Sequence, residues 1–185
     1  MPGHYSELHA HSCFSLLDGV PFPEQLAERA AELGLPAIAL TDHDAVYGAV
    51  PFFARARELG VKPILGIELT LTAADPASGG LSGHLTLLAE NQAGYRNLCQ
   101  LVTQARADRP KGEAGLPDAR LPEHAGGLIC LSGCRRGPVA RPLLEGSPAR
   151  PAPRWSGWWK SSAAARCTWK CSAARPAATS GSRIH

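Results

Sequence analysis

The chain has 185 residues, enough for one ordinary domain with a real core, and 44% of them are hydrophobic. Met1 is followed by polar residues and no apolar run is long enough for a leader or a membrane span, so a cytoplasmic protein without membrane contact is expected. The formal charge of +3 invites nucleic acid as a partner, but its distribution undoes that reading. Residues 1–146 carry all 16 acidic residues against 12 Lys/Arg, whereas residues 147–185 carry 7 Lys/Arg and no acid.

The elements alternate in the order strand, helix, strand. Tyr5–His9 alternates as a strand and runs into a loop through Asp18-Gly19. Pro23–Leu33 reads as a helix with Leu26, Ala27, Ala30 and Leu33 on one face, ended by Gly34. Ala37–Leu40 is a short buried strand, and Val46–Leu59 a second helix that Asp44 is placed to cap. Pro63–Leu71 is a third strand. A Gly-rich turn at Ser78–Gly83 leads to the strand His84–Ala89 and the helix Ala93–Ala105. Residues 107–126 form a polar excursion before the buried strand Gly127–Leu131. This order predicts an α/β fold with parallel strands, right-handed crossovers and a site at the carboxyl ends of the strands.

Composition changes near residue 147, so 1–146 reads as the domain and 147–185 as a tail. The tail holds all four tryptophans in a Pro/Ser/Ala/Arg-rich background. It can be a basic disordered arm, a Trp-anchored interaction segment, or a stretch read out of frame. The single codon of Trp favours the last. Shifted one nucleotide upstream, the codons of Trp155–Ser162 and Thr168–Cys171 spell apolar and acidic strings patterned like an amphipathic helix and an alternating strand. The frame then changes between about Leu144 and Arg154.

The residues that carry chemistry lie at the ends of the apolar runs. His9 and His11 are two apart, so on an extended segment both imidazoles face one side. Asp18 follows in the loop, His43 lies just past Ala37–Leu40, and Glu68 sits inside Pro63–Leu71. A carboxylate there is costly unless paired or metal-bound. His84 opens its strand and Cys134 follows the strand Gly127–Leu131. Each has an ordinary reading as well. A His-x-His is often a surface or core pair, Asp42 and Asp44 can be helix caps, and Cys134, like Cys99 and Cys130, can be a small buried apolar residue. With six cysteines and no CxxC pair, reduced thiols are expected.

Taken together, these segments resemble a known family. YSELHAHSCFSLLD (5–18), IALTDHD (38–44) and LGIELTL (65–71) are similar to the first motifs of the PHP phosphoesterase domain, in the form found at the N-terminus of bacterial DNA polymerase III alpha subunits. HLTLLAENQAGYRN (84–97) and CLSGCRRGPV (130–139) resemble the segments that follow in those polymerases, nearer the error-prone branch than the replicative one. The resemblance implies a distorted (β/α)7 barrel, here partial, whose strand ends hold two or three divalent ions of zinc, manganese or iron. It implies His9, His11, Asp18, His43, Glu68, His84 and Cys134 as metal ligands. Glu68 is then the bridging carboxylate, Glu68 and His43 the catalytic pair, and Asp42 an orienting partner.

The family's late Asp-x-His pair has no counterpart after residue 146, and the last barrel strands are missing. The implied activity is metal-dependent phosphoester hydrolysis, a proofreading 3′–5′ exonuclease in a polymerase assembly with DNA and other replisome or translesion subunits as partners. Two other readings stay open: a free-standing phosphatase of the histidinol-phosphatase type, and a non-catalytic interaction module using the Trp-rich tail.

Overall fold

The computed structural model describes residues 5–73 and 82–131, together with 135, 137, 138 and 144. Cys134 and the whole segment 147–185 lie outside the described residues. The α/β architecture read from the sequence is present. Its elements are β1 (Glu7–Ala10), α1 (Pro23–Glu32), β2 (Ala37–Leu40), α2 (Ala49–Glu58), β3 (Lys62–Thr72), β4 (Gly83–Ala89), α3 (Gln92–Arg106), β5 (Leu116–Pro117) and β6 (Leu128–Leu131). A 3-10 helix, Asp118–His124, precedes β6. The polar excursion expected over 107–126 therefore holds a short strand and a helical turn.

Helix boundaries follow local chemistry. Pro23 starts α1 where no amide hydrogen is needed, and Gln25 Oε1 reaches back to accept from the Phe22 amide at 2.8 Å. In α3 the Asn91 side chain accepts from the Gly94 amide at 3.0 Å. Gly94 is required there, because a Cβ would lie 1.9 Å from the Gly127 carbonyl oxygen. Helix α2 begins at Ala49, so Asp44 does not cap it.

The strands form one sheet in the order β1-β2-β3-β4-β6, with β5 beside the end of β3. β1, β2 and β3 run parallel, as the helical crossovers α1 and α2 require. The expectation of parallel strands stops at β4, which runs antiparallel to both β3 and β6. Only the ten residues 73–82 link β3 to β4, and a connection shorter than a crossover returns the chain antiparallel. Among the described residues the sheet stays open, with β1 and β6 at its edges.

β3 therefore changes partners along its length. Residues 62–65 pair with β2, and residues 66–71 pair with β4. The core divides at the same place. Ala27, Ala30, Ile38, Leu40, Phe52 and Ala56 pack under α1 and α2. Ile67, Leu69, Leu85, Leu87, Leu98 and Leu101 pack between the sheet and α3. Along β3, Ile67, Leu69 and Leu71 turn into that second core. The two-residue period of a strand sends Glu68 and Thr70 to the opposite face.

Candidate metal centre

Glu68 is only 2% exposed, and side chains from β1, from just past β2 and from β4 converge on its carboxylate. His9 Nε2 lies 2.5 Å from its Oε2, and His11 Nε2 lies 3.1 Å from the same oxygen. His84 Nδ1 lies 2.9 Å from Oε1. His43 is aligned directly with Glu68 by a parallel bridge beyond the end of β2. Its ring stacks on His11 with centroids 4.6 Å apart and meets His84 edge-on at 5.0 Å.

The topology explains how each side chain arrives. His9 and His11 leave the carboxyl end of β1, whose register against β2 shifts between Glu7 and Ala10, an irregularity common beside functional sites. His43 leaves the carboxyl end of β2. His84 comes from the start of its strand, which would be the wrong end in a parallel sheet. Because β4 is antiparallel, Thr70 faces His84 and Glu68 faces Thr86, and directly opposed residues share a face. The start of β4 thus lies beside the end of β3.

A second layer holds this arrangement. Asp42, 1% exposed, accepts from the Ser12 amide at 2.7 Å, the Ser12 hydroxyl at 2.7 Å and the Ser15 hydroxyl at 2.6 Å. Ser15 Oγ in turn accepts from the His43 amide at 3.0 Å and lies 3.1 Å from His11 Nδ1. Asp42 thus reaches an imidazole only through Ser15. The loop is coiled tightly enough to do this. The amides of Ser15, Asp18 and Gly19 bond back to the carbonyls of Ser12 and Ser15, and a Cβ on Gly19 would fall 1.9 Å from the Ser12 carbonyl oxygen.

That coil carries Asp18 over the site, where its Oδ2 lies 2.9 Å from His43 Nε2. Asp44, at φ 47°, accepts from the Thr70 amide and hydroxyl, both at 2.7 Å, in place of the helix-capping role expected of it. The Asp42 carbonyl and Asp44 amide also bond the Glu68 backbone, so the His43 segment is fastened to β3 on both sides.

The donor set fits a divalent cation. His9, His11 and Glu68 bring ligand atoms within 4.8 Å of one another, and so do His43, Glu68 and His84. The two Nε2 atoms of His9 and His11 are 3.1 Å apart. Only one proton can lie between them, so nitrogen lone pairs and carboxylate oxygen crowd one point. Imidazole nitrogen with carboxylate oxygen suits divalent transition-metal ions and zinc. Burial pushes the Glu68 carboxyl up, but the imidazoles of His11, His84 and His9 hydrogen-bonded to it outweigh that and hold it well below the usual carboxylate range.

Of the residues singled out in the sequence, the structure brings together His9, His11, Asp18, His43, Glu68 and His84, with Asp42 behind them. Cys134 lies outside the described residues. Cys130 is buried, as expected, while Cys99 is only half-buried. Sequence reasoning missed Ser12 and Ser15. The available signal was their place in the loop between His11 and Asp18, opposite an Asp42 with no cationic neighbour in sequence.

Several known proteins resemble this chain. The family model for the PHP domain matches residues 7–167. The error-prone DNA polymerase of Mycobacterium tuberculosis (strain ATCC 25618 / H37Rv) is 47% identical over 149 residues, covering 78% of this chain and 14% of that protein. The DNA polymerase III subunit alpha of Vibrio cholerae is 40% identical over 144 residues, covering 77% of this chain and 12% of that protein. A solved structure from Bifidobacterium adolescentis, described as a metal-dependent phosphoesterase, is 29% identical with a TM-score of 0.46, covering 58% of this chain and 35% of its own. The chain thus spans about a seventh of the length of the polymerases it matches. No described helix is long and apolar enough to cross a membrane. This chain belongs to the PHP domain family.

Proposed function

We propose that this chain is the N-terminal PHP portion of a bacterial error-prone DNA polymerase III alpha subunit, carrying a metal-dependent phosphoesterase site of the 3′–5′ exonuclease type. One observation carries the reading: four histidines from β1, β2 and β4 converge on one buried carboxylate, Glu68. The polymerase relatives support a context of DNA and a polymerase assembly, and on this reading the partners are replisome or translesion subunits in the cytoplasm.

His9 and His11 would hold one cation and His43 and His84 a second, with Glu68 offering Oε2 to the first group and Oε1 to the second. Two or three ions of zinc, manganese or iron are expected, with Asp18 and Cys134 as the further ligands that the resemblance implies. Such ions supply positive charge for phosphoryl oxygens and bring the pKa of a bound water toward neutrality. Glu68 fixes the spacing between the two histidine groups. His43, stacked on His11 and edge-on to His84, presents its Nε2 toward Asp18 at the exposed rim, where a phosphoester can enter.

The late Asp-x-His pair of the family is absent from this sequence, so the chain should hold fewer metal equivalents than a complete domain and hydrolyse weakly. The test combines metal analysis of the purified chain with manganese-dependent cleavage of a 3′-labelled single-stranded oligonucleotide and of a small phosphomonoester. Bound metal that drops in His9→Ala and Glu68→Gln, with any cleavage confined to the oligonucleotide, supports the proposal. Metal content indifferent to both changes overturns the site, and cleavage of the monoester alone replaces the exonuclease reading with a phosphatase.

A further inference from the structure

We propose that Ser15 is a positioning residue of this centre: backed by Asp42, its hydroxyl fixes which nitrogen of His11 carries hydrogen, leaving Nε2 free to bind a cation. The inference rests on the metal reading above and assigns a role to a residue outside the ligand set.

Hydrogen-bond bookkeeping leads to it. Ser15 is 1% exposed, so its hydroxyl is confined to protein partners. A hydroxyl has one hydrogen to give and two lone pairs to receive with. The Asp42 carboxylate, acceptor-only when ionised, takes that hydrogen at 2.6 Å. The remaining partners of Ser15 Oγ must then be donors. One is the backbone amide of His43 at 3.0 Å, a donor by necessity. The other is His11 Nδ1 at 3.1 Å, which must present N–H.

A neutral imidazole carries one hydrogen, so Nε2 of His11 is left as a lone pair. That atom is the one 3.1 Å from both His9 Nε2 and Glu68 Oε2. A lone pair facing a carboxylate oxygen at this distance needs positive charge between them, a proton or a metal ion. Orienting partners of this kind typically change metal affinity 10–100-fold when removed. Ser15 also ties down His43 through its amide, so one hydroxyl sets two stacked ligands.

Ser12 provides an internal control. It is fully buried and donates to the same carboxylate at 2.7 Å, yet its hydroxyl touches no imidazole. If the serines only stiffen the loop, Ser12→Ala and Ser15→Ala should do equal harm. The experiment titrates the full chain and each variant with zinc. It also follows the His11 Nδ1–H signal of the zinc-loaded, 15N-histidine-labelled protein.

The expected result is a zinc affinity lowered about 10–100-fold in Ser15→Ala, with loss of the protected Nδ1–H signal, while Ser12→Ala keeps the signal and loses clearly less affinity. Ser15→Thr, which retains the hydroxyl, should keep both affinity and signal, and it carries the test if the alanine variant does not fold. A parent chain that takes up no zinc removes the metal reading and this one with it. If the parent binds zinc but Ser15→Ala binds equally well, if Ser12→Ala loses as much, or if folded Ser15→Thr loses the signal, only the role of Ser15 is overturned.

Discussion

Replacing Asp44 with alanine removes two of the hydrogen bonds that fasten the His43 segment to β3, those from the Thr70 amide and hydroxyl at 2.7 Å each. Hydrogen bonds to a charged group contribute about 1.5–3 kcal/mol apiece, so the pair amounts to at least about 3 kcal/mol. Asp44 is 8% exposed, and water cannot readily replace it. Its φ of 47° adds to the loss, since Asp and Asn tolerate the left-handed region better than Ala. Asp44→Asn separates the contributions. It keeps the backbone preference and an oxygen for the Thr70 amide, while its NH2 group meets a hydroxyl that can turn to accept. Bonds of ordinary neutral strength, about 1 kcal/mol each, should remain, for a loss of about 1–2 kcal/mol. Urea unfolding followed by circular dichroism, at neutral pH with chelator present, measures both. Two variants within about 1 kcal/mol of the parent, or an Asn variant as weak as the Ala one, would refute the account of Asp44 as the fastening of this loop.

Gly94→Ala should lower the thermal midpoint although alanine is the better helix former. The new Cβ meets the Gly127 carbonyl oxygen at 1.9 Å, a clash whose relief costs about 1–3 kcal/mol against a propensity gain of about 1 kcal/mol. Gly126→Ala, where the nearest atom is 3.7 Å away, should lack that penalty, and equal melting of the two variants argues against the packing account. The gene itself tests the tail. Read one nucleotide upstream, codons 155–171 should stay open and continue into further coding sequence, and stop codons in that frame rule out the shift.

Much of the site was legible because its chemistry is carried by residue type. An acidic residue inside the apolar run Ile64–Leu71 and histidines closing two other runs are hard to explain otherwise, and they meet at Glu68. What stayed hidden depends on distance in sequence. Asp44 reads as a helix cap because α2 is near, whereas its partner Thr70 lies on another strand. Ser15 is a short polar residue in a loop, and nothing local says that its hydroxyl is shared by Asp42, His43 and His11. The antiparallel β4 was missed, because the strands were all read as parallel. The pattern of the strand itself does not encode direction, so the usual rule for the active end of a sheet left the position of His84 unexplained.

The change of partners along β3 places Glu68 at a seam between two separately packed cores, with His9, His11 and His43 arriving from one side and His84 from the other. A cation gripped by side chains from both sides would act as a removable cross-link between the halves. It would stiffen the molecule where hydrophobic contact is interrupted, much as a clasp joins two panels that are each already sewn. Loading the centre is then a mechanical event as well as a chemical one, and the order of events follows from the topology. The His43–Glu68–His84 group draws on both halves, so that clasp can close only after both panels have formed.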